Sequence, residues 1–128
     1  MNEQAECINL ATRRRDGSEV LTPVWYVWHE ERLWLRTALQ FGKVKRLRND
    51  ARLRFAPCDW DGNLLGDWQE GTAELFSAAD SRTHAAEALL EQRYGERRAQ
   101  MSAYLREQQL EPVFIAVTPE TRAPRTPE

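Results

Sequence analysis

Two cysteines and two histidines in 128 residues leave little material for metal or nucleophile chemistry. Cys7 and Cys58 have neither Cys-x-x-Cys spacing nor a nearby histidine pair, so they read as reduced, buried thiols. His29 falls in a short polar turn and His84 in the first turns of a helix. No serine–aspartate or cysteine–histidine constellation surrounds either, so neither a metal site nor a catalytic side chain is expected. Long apolar runs are also missing, and none approaches the ~20 residues of a membrane-spanning helix. Residues 1–6 are polar and acidic, which predicts no secretory leader and, with reduced thiols, a cytoplasmic setting. An excess of positive charge is absent too. The 18 Lys and Arg face 20 Asp and Glu, and the net charge of −2 gives no overall attraction to nucleic acid or an anionic membrane. Any anion site must therefore be a local patch.

What the chain does have is tryptophan. Of five, Trp25, Trp28, Trp34 and Trp60 fall between residues 25 and 60, which marks the first half as the informative part. The length suits one ordinary domain, assigned to residues 1–120. Residues 121–128, with Pro124 and Pro127, read as a disordered tail.

Residues 7–14 form a plausible strand. Asp16-Gly17 then marks a hairpin turn, because both residue types tolerate positive φ. Residues 19–28 read as one second strand that is apolar on both faces: Val20, Val24, Tyr26 and Trp28 on one, Leu21, Trp25 and Val27 on the other. A hairpin strand normally keeps one wet face. Double-sided burial predicts a barrel wall with something packed outside it, such as a second subunit or a cofactor. Pro23 lacks an N–H, so the strand is expected to be unpaired there on one side.

Residues 32–37 form the third strand, 42–49 a short helix with Val44 and Leu47 inward, and 52–58 the fourth strand. The fifth, 64–76, contains Gly66 and Gly71, which predict a bulge or a close backbone approach. Ser77-Ala-Ala-Asp80 looks like a capping box for a helix that Gly95 ends. A second helix follows, with Met101, Tyr104 and Leu105 inward and a solvent-facing charged start at Glu96-Arg97-Arg98. The last strand spans 113–118. Antiparallel strands with segregated helices give an α+β or mainly β protein, a six-stranded barrel with helical caps.

The densest chemistry lies in Thr37-Ala-Leu-Gln-Phe-Gly42-Lys43-Val-Lys45-Arg46-Leu-Arg48. It is a strand end, a short loop and a helix whose first turn is cationic. Unpaired N–H groups and a partial positive charge at a helix N-terminus suit a phosphate. Cations there oppose the dipole unless an anion sits between them. Lys43 and Arg46 share one helix side, and the Thr37 hydroxyl can donate to the same anion. A plain solvated basic helix fits the charge pattern as well.

Together with Val20-Leu-Thr-Pro-Val-Trp-Tyr-Val27, Leu33-Trp-Leu-Arg-Thr37 and Arg54-Phe-Ala-Pro-Cys58, this segment resembles the pyridoxamine 5′-phosphate oxidase-like superfamily. It is most similar to the branch of probable deazaflavin (coenzyme F-420) dependent enzymes, and the likeness runs from Cys7 to Pro119. The resemblance implies a split β-barrel homodimer with cofactor sites at the interface, the cofactor being flavin mononucleotide (FMN) or a deazaflavin. It implies that Thr37, Gly42 and Lys43, with Lys45 or Arg46, hold the cofactor phosphate. Val24 and Trp25 would lie against the tricyclic ring, and Gln69 would come from the other subunit.

Similar proteins carry Thr-Gly-x-x-Ser-Gly-Lys in the loop. Here Ala38 removes the freedom of glycine and Phe41 replaces a small hydroxyl donor with a ring. One lost charge-assisted hydrogen bond is worth about 1.5–3 kcal/mol, roughly tenfold or more in affinity. Two functions follow from the resemblance. One is an oxidoreductase that moves hydride between the bound cofactor and a small organic substrate. The other is a non-catalytic dimeric module for FMN, deazaflavin or haem, or a member that has lost its cofactor. Nucleic-acid binding through residues 43–48 is disfavoured by net charge and by the absence of interleaved stacking aromatics. Arg13-Arg14-Arg15 reads as a solvated hairpin tip. Trp60 and Trp68 flank the Asp61-Gly62 turn, where they clamp a planar ligand or pack on a partner. Tyr26 and Tyr104 are expected to be buried hydroxyls.

Overall fold

The computed structural model describes residues 5–120, and the proposed tail at 121–128 lies outside them. The strands are β1 (Cys7–Arg13), β2 (Glu19–Val24), β3 (Val27–His29), β4 (Arg32–Ala38), β5 (Arg52–Cys58), β6 (Gln69–Ser77) and β7 (Pro112–Pro119). Helix α1 (Gly42–Asn49) lies between β4 and β5, and α2 (His84–Tyr94) and α3 (Glu96–Glu107) lie between β6 and β7. All strands pair antiparallel in one sheet, ordered β2-β1-β5-β6-β7-β4-β3. No helix among the described residues is long and apolar enough to cross a membrane.

The chain passes from one edge of this sheet to the other through Trp25 and Tyr26 alone. Val24 and Val27 can therefore be no more than ~11 Å apart. An open seven-stranded sheet cannot bring its two edges that close, so the sheet curls into a barrel split at this crossing. The fold is α+β, with seven strands where the periodicity predicts six. The physical cause of the extra strand is visible. Pro23 has no N–H to continue the ladder. The Tyr26 backbone leaves the sheet to bond with Tyr94, its N–H donating to Oη at 3.0 Å and its C=O accepting from the same hydroxyl at 3.0 Å.

The alternation survives this break for residues 24–28, but not for Leu21, which is 52% exposed on a β2 strand with no fully buried residue. Val24, Tyr26 and Trp28 pack into the barrel interior with Ile8, Leu10, Leu35, Phe55 and Ile115. Trp25 and Val27 face the other way, onto Ala86, Leu90 and Tyr94 of α2. A helix of the same chain thus covers Trp25 and Val27 on the outer face, whereas Leu21 on that face is exposed. Each large side chain buried in these layers contributes about 1.5–3 kcal/mol relative to exposure.

Other boundaries move for local reasons. Residues 59–68 form a loop instead of the start of a long fifth strand. The Asp59 carboxylate accepts the N–H groups of Asp61 and Asn63, both at 2.9 Å, and closes a turn there. Only a bridge between Cys58 and Leu64 pairs with the sheet. Ser77 stays in β6, so the expected capping box does not form; Asp80 instead caps a short 3-10 turn by accepting the Arg82 N–H at 2.9 Å. At Gly71 the close approach is real: a Cβ would stand 2.8 Å from Val117 Cγ1 and 3.0 Å from the Thr118 carbonyl oxygen. On α3, Leu105 is buried as expected, whereas Met101 and Tyr104 are exposed.

Candidate functional site

The loop between β4 and α1 is short and tied down. Leu39 N–H donates to the Glu111 carbonyl at 2.7 Å, Phe41 N–H to the Ala38 carbonyl at 3.0 Å, and Gln40 Oε1 accepts the Glu111 N–H at 3.1 Å. Phe41 occupies the N-cap position of α1 and offers no side-chain acceptor, and no acid lies in the first turn. The helix is oriented by Val44 and Leu47, both buried. That orientation carries Lys43 inward, where its Nζ donates to Thr37 Oγ1 at 3.3 Å and sits 5.0 Å from the centre of the Phe41 ring. Among the described residues no carboxylate lies within ion-pair distance of Lys43. Burial, reinforced by the Arg46 charge, pushes its pKa below the ordinary lysine range.

Lys43 and Thr37 open onto a cavity of about 420 Å³. Val24 and Trp25 line it as well. Trp25 is held from two sides, stacked on Tyr94 (5.0 Å, 14°) and edge-on to Trp60 (5.7 Å, 89°). Four of the residues singled out from sequence therefore meet at one place. The others do not line it. Gly42 heads the helix beneath the Arg46 guanidinium, which a Cβ there would meet at 2.8 Å. Arg46 Nε donates to Thr12 Oγ1 at 2.7 Å, so Arg46 leans on β1 and does not join Lys43 at the cavity. Lys45 is exposed. Gln69, expected to serve the site of the other subunit, sits at the start of β6 opposite Phe55.

The far wall is built by helices that sequence reasoning left out of the site. Leu90 of α2 and Met101 and Leu105 of α3 supply apolar surface. Arg36 and Arg98 supply charge. Arg98, expected in a solvated helix start, is only 3% exposed and forms a double hydrogen bond with Glu87 at 2.8 and 2.5 Å. Arg36 Nη2 donates to Ser102 Oγ at 2.6 Å, and burial beside the like charge of Arg98 lowers its pKa. A clue to Arg36 was present in the sequence: it is the one charged residue inside the apolar run Leu33-Trp34-Leu35-Arg36-Thr37. Nothing comparable marked Arg98.

Cys7 also reaches the cavity wall and faces Cys58 across the β1–β5 pair; both thiols are free. Burial raises Cys7 to about 12 and Cys58 to about 11, so both stay protonated and are poor nucleophiles at neutral pH. Trp60 is 39% exposed and packs on Arg97, 4.7 Å from its guanidinium. Trp68 packs on Arg54 at 4.5 Å, so the two tryptophans do not form one clamp. At the hairpin tip, Arg14 and Arg15 are exposed, Arg14 Nη1 donates to Ser18 Oγ at 3.2 Å, and Arg13 lies 3.9 Å from Asp50. Tyr26 is buried and Tyr104 is not.

A family model described as pyridoxamine 5′-phosphate oxidase matches residues 2–123. No curated protein matches by sequence. Among solved structures, HutZ, the heme storage protein from Vibrio cholerae, is similar with TM-score 0.72 at 13% identity, covering 92% of this chain and 84% of that one. A conserved hypothetical protein of Mycobacterium tuberculosis is similar with TM-score 0.68 at 25% identity, covering 92% and 75%. An F-420 reductase is similar with TM-score 0.60 at 20% identity, covering 93% and 90%.

Proposed function

From the premise that this chain belongs to the pyridoxamine 5′-phosphate oxidase family, we propose that its cavity binds a flavin-type cofactor, FMN or a deazaflavin, and that the protein is an oxidoreductase. One observation carries this reading. A half-buried lysine with no carboxylate partner points, beside a threonine hydroxyl, into a cavity walled by tryptophan. A buried cation without a counter-ion is costly, and a phosphate is the anion that best matches Lys43, Thr37 and the uncapped N–H groups of α1 together.

The residues present fit such a group. Thr37 and Lys43 would hold its phosphate. Val24 and the braced Trp25 would lie along the ring, excluding water from one side. The cofactor supplies hydride chemistry, so the protein's part is orientation, a dry wall and electrostatics.

Phe41 favours a second reading, a binding module without turnover. Its ring lines the cavity where the family's loop has serine, and it weakens the phosphate end of the site. Titration with FMN and with deazaflavin, followed by tryptophan emission, separates the readings when combined with a turnover assay using reduced cofactor. Binding that Lys43→Ala weakens about tenfold supports a cofactor site. No binding by either cofactor defeats both readings. Turnover then distinguishes enzyme from module. We include a homodimer in a cytoplasmic setting in this proposal. Support for the dimer comes from Leu21, Leu64 and Leu65, which expose 52%, 46% and 53% of their surface around the β2 edge and the 59–68 loop. Sedimentation as a monomer at micromolar concentration would defeat that part.

A further inference from the structure

The cavity has two cationic poles, and the cofactor phosphate accounts for only one. The first is Lys43 with Thr37. The second is Arg36 with Arg98, on the wall that α3 completes. They are held by different partners: Lys43 donates to Thr37 at 3.3 Å, whereas Arg36 donates to Ser102 of α3 at 2.6 Å.

The second pole is under-neutralised. Two guanidinium groups share one ion-paired carboxylate, Glu87, which is engaged by both terminal nitrogens of Arg98. Glu91 is near enough to act on Arg36 but lies beyond ion-pair distance. Arg36 keeps a single protein acceptor, the neutral Ser102 hydroxyl, and has no carboxylate within 4.0 Å among the described residues. Arg36 is half-buried and Arg98 is 3% exposed, so water compensates them poorly. Around them the wall is apolar, with Leu90, Met101 and Leu105. Planar forks of donors set in apolar surface match a carboxylate carried on a hydrophobic body.

We infer that the cavity binds, beside the cofactor, a small organic substrate bearing a carboxylate, which Arg36 grips with Arg98 behind it. The inference rests on the cofactor reading for its meaning, since it names the substrate class of the same site. Arg98 is a positioning residue, because its own hydrogen bonds go to Glu87.

The test uses the full chain, with and without FMN, and benzoate as the probe, with benzamide as its neutral counterpart. Binding is followed by calorimetry and by the emission of Trp25 and Trp60. Benzoate is expected to bind at least tenfold tighter than benzamide. Arg36→Gln, which can still donate to Ser102, should weaken benzoate at least tenfold and leave benzamide unchanged. Arg36→Lys should recover part of that loss, and without FMN Lys43→Ala should weaken benzoate several-fold less than Arg36→Gln does. Thermal melts of each variant show that it is folded. Equal binding of benzoate to Arg36→Gln and wild type overturns the inference. So does benzoate binding that Lys43→Ala abolishes and Arg36→Gln spares, because the carboxylate then sits at the α1 tip. So does a protein that ignores benzoate but loses deazaflavin affinity in Arg36→Gln, because the carboxylate is then the cofactor's own. Failure of both FMN and deazaflavin to bind would break the cofactor reading alone, and the benzoate titrations would still decide this one.

Discussion

The two ends of the cavity were assembled differently. At the α1 tip, Thr37 and Lys43 are six residues apart, and one turn of chain brings them to 3.3 Å. At the α3 wall, Arg36 meets Ser102 across 66 residues and Arg98 meets Glu87 across 11, with a helix break between them. The tip is held by bonds within its loop and from Leu39 and Gln40 to Glu111, so Thr37 and Lys43 are free to serve a ligand. The wall is held by the charged side chains themselves, so there structure and binding cannot be separated. Substitutions at the tip should therefore change affinity with little change in stability, and substitutions at the wall should change both.

The largest effect is expected from Glu87→Ala. It leaves Arg98 buried without a counter-ion, which for a fully buried pair costs about 3–5 kcal/mol. Glu87 is itself 39% exposed, so a loss nearer ~2 kcal/mol is expected, read as a fall in the urea midpoint. A value under about 0.5 kcal/mol would show that the wall is no more integrated than an ordinary surface pair.

Tyr94→Phe should come next. The Tyr94 hydroxyl donates to the carbonyls of Tyr26 and Glu6 and accepts the Tyr26 N–H, and so holds the crossing between β2 and β3. Losing it removes the hydroxyl that accepts the Tyr26 N–H, at about 1–3 kcal/mol. Hydrogen exchange at Tyr26 should accelerate more than at the centre of β1. Uniform acceleration would mean that the crossing is not a local weak point.

Phe41→Ser tests the tip from the opposite direction. A serine at the N-cap can accept an N–H of the first turn, adding about 0.5–1 kcal/mol of stability. It also restores a donor, and phosphate-bearing cofactor should bind several-fold to tenfold tighter. An unchanged affinity would show that Phe41 does not limit the site.

The smallest effects are in pH dependence, and their signs differ between the two ends. Burial holds Lys43 below the ordinary lysine range, so it loses its proton at a lower pH than an exposed lysine. Anion affinity should then decline on the alkaline side at a lower pH than an ordinary exposed lysine would give. Glu87 is depressed by its bonds to Arg98. Its contribution to stability is fully present above the unfolded value near 4.5 and is lost as pH falls through the lower folded value. Glu87→Gln should flatten the acid side of the melting profile relative to wild type. Parallel profiles for the two proteins would show that other carboxylates dominate acid unfolding.

Much of the fold was legible because its cues are local. Asp16-Gly17 closes the first hairpin, with Gly17 at φ +90°. Val44 and Leu47 set the face of α1. The alternation through residues 20–28 put Val24, Tyr26 and Trp28 on one face and Trp25 and Val27 on the other, and they stay so though the strand breaks; Leu21 is exposed. The break was less legible. Pro23 hinted at it, but the partner that stabilises it is a hydroxyl 68 residues away.

What the sequence determined by itself, then, is whatever depends on neighbours along the chain: turns, helix faces, the alternation of residues 24–28, and the pairing of Thr37 with Lys43. What only the tertiary structure decided is what stands against those faces. It placed α2 against Trp25 and Val27, sent Arg46 to Thr12 instead of the cavity, and turned Arg98 from an assumed surface charge into a buried cation. The reason is physical. Backbone propensity and side-chain periodicity act over a few residues, whereas the neutralisation of a charge depends on which distant group the folded chain brings within about 4 Å.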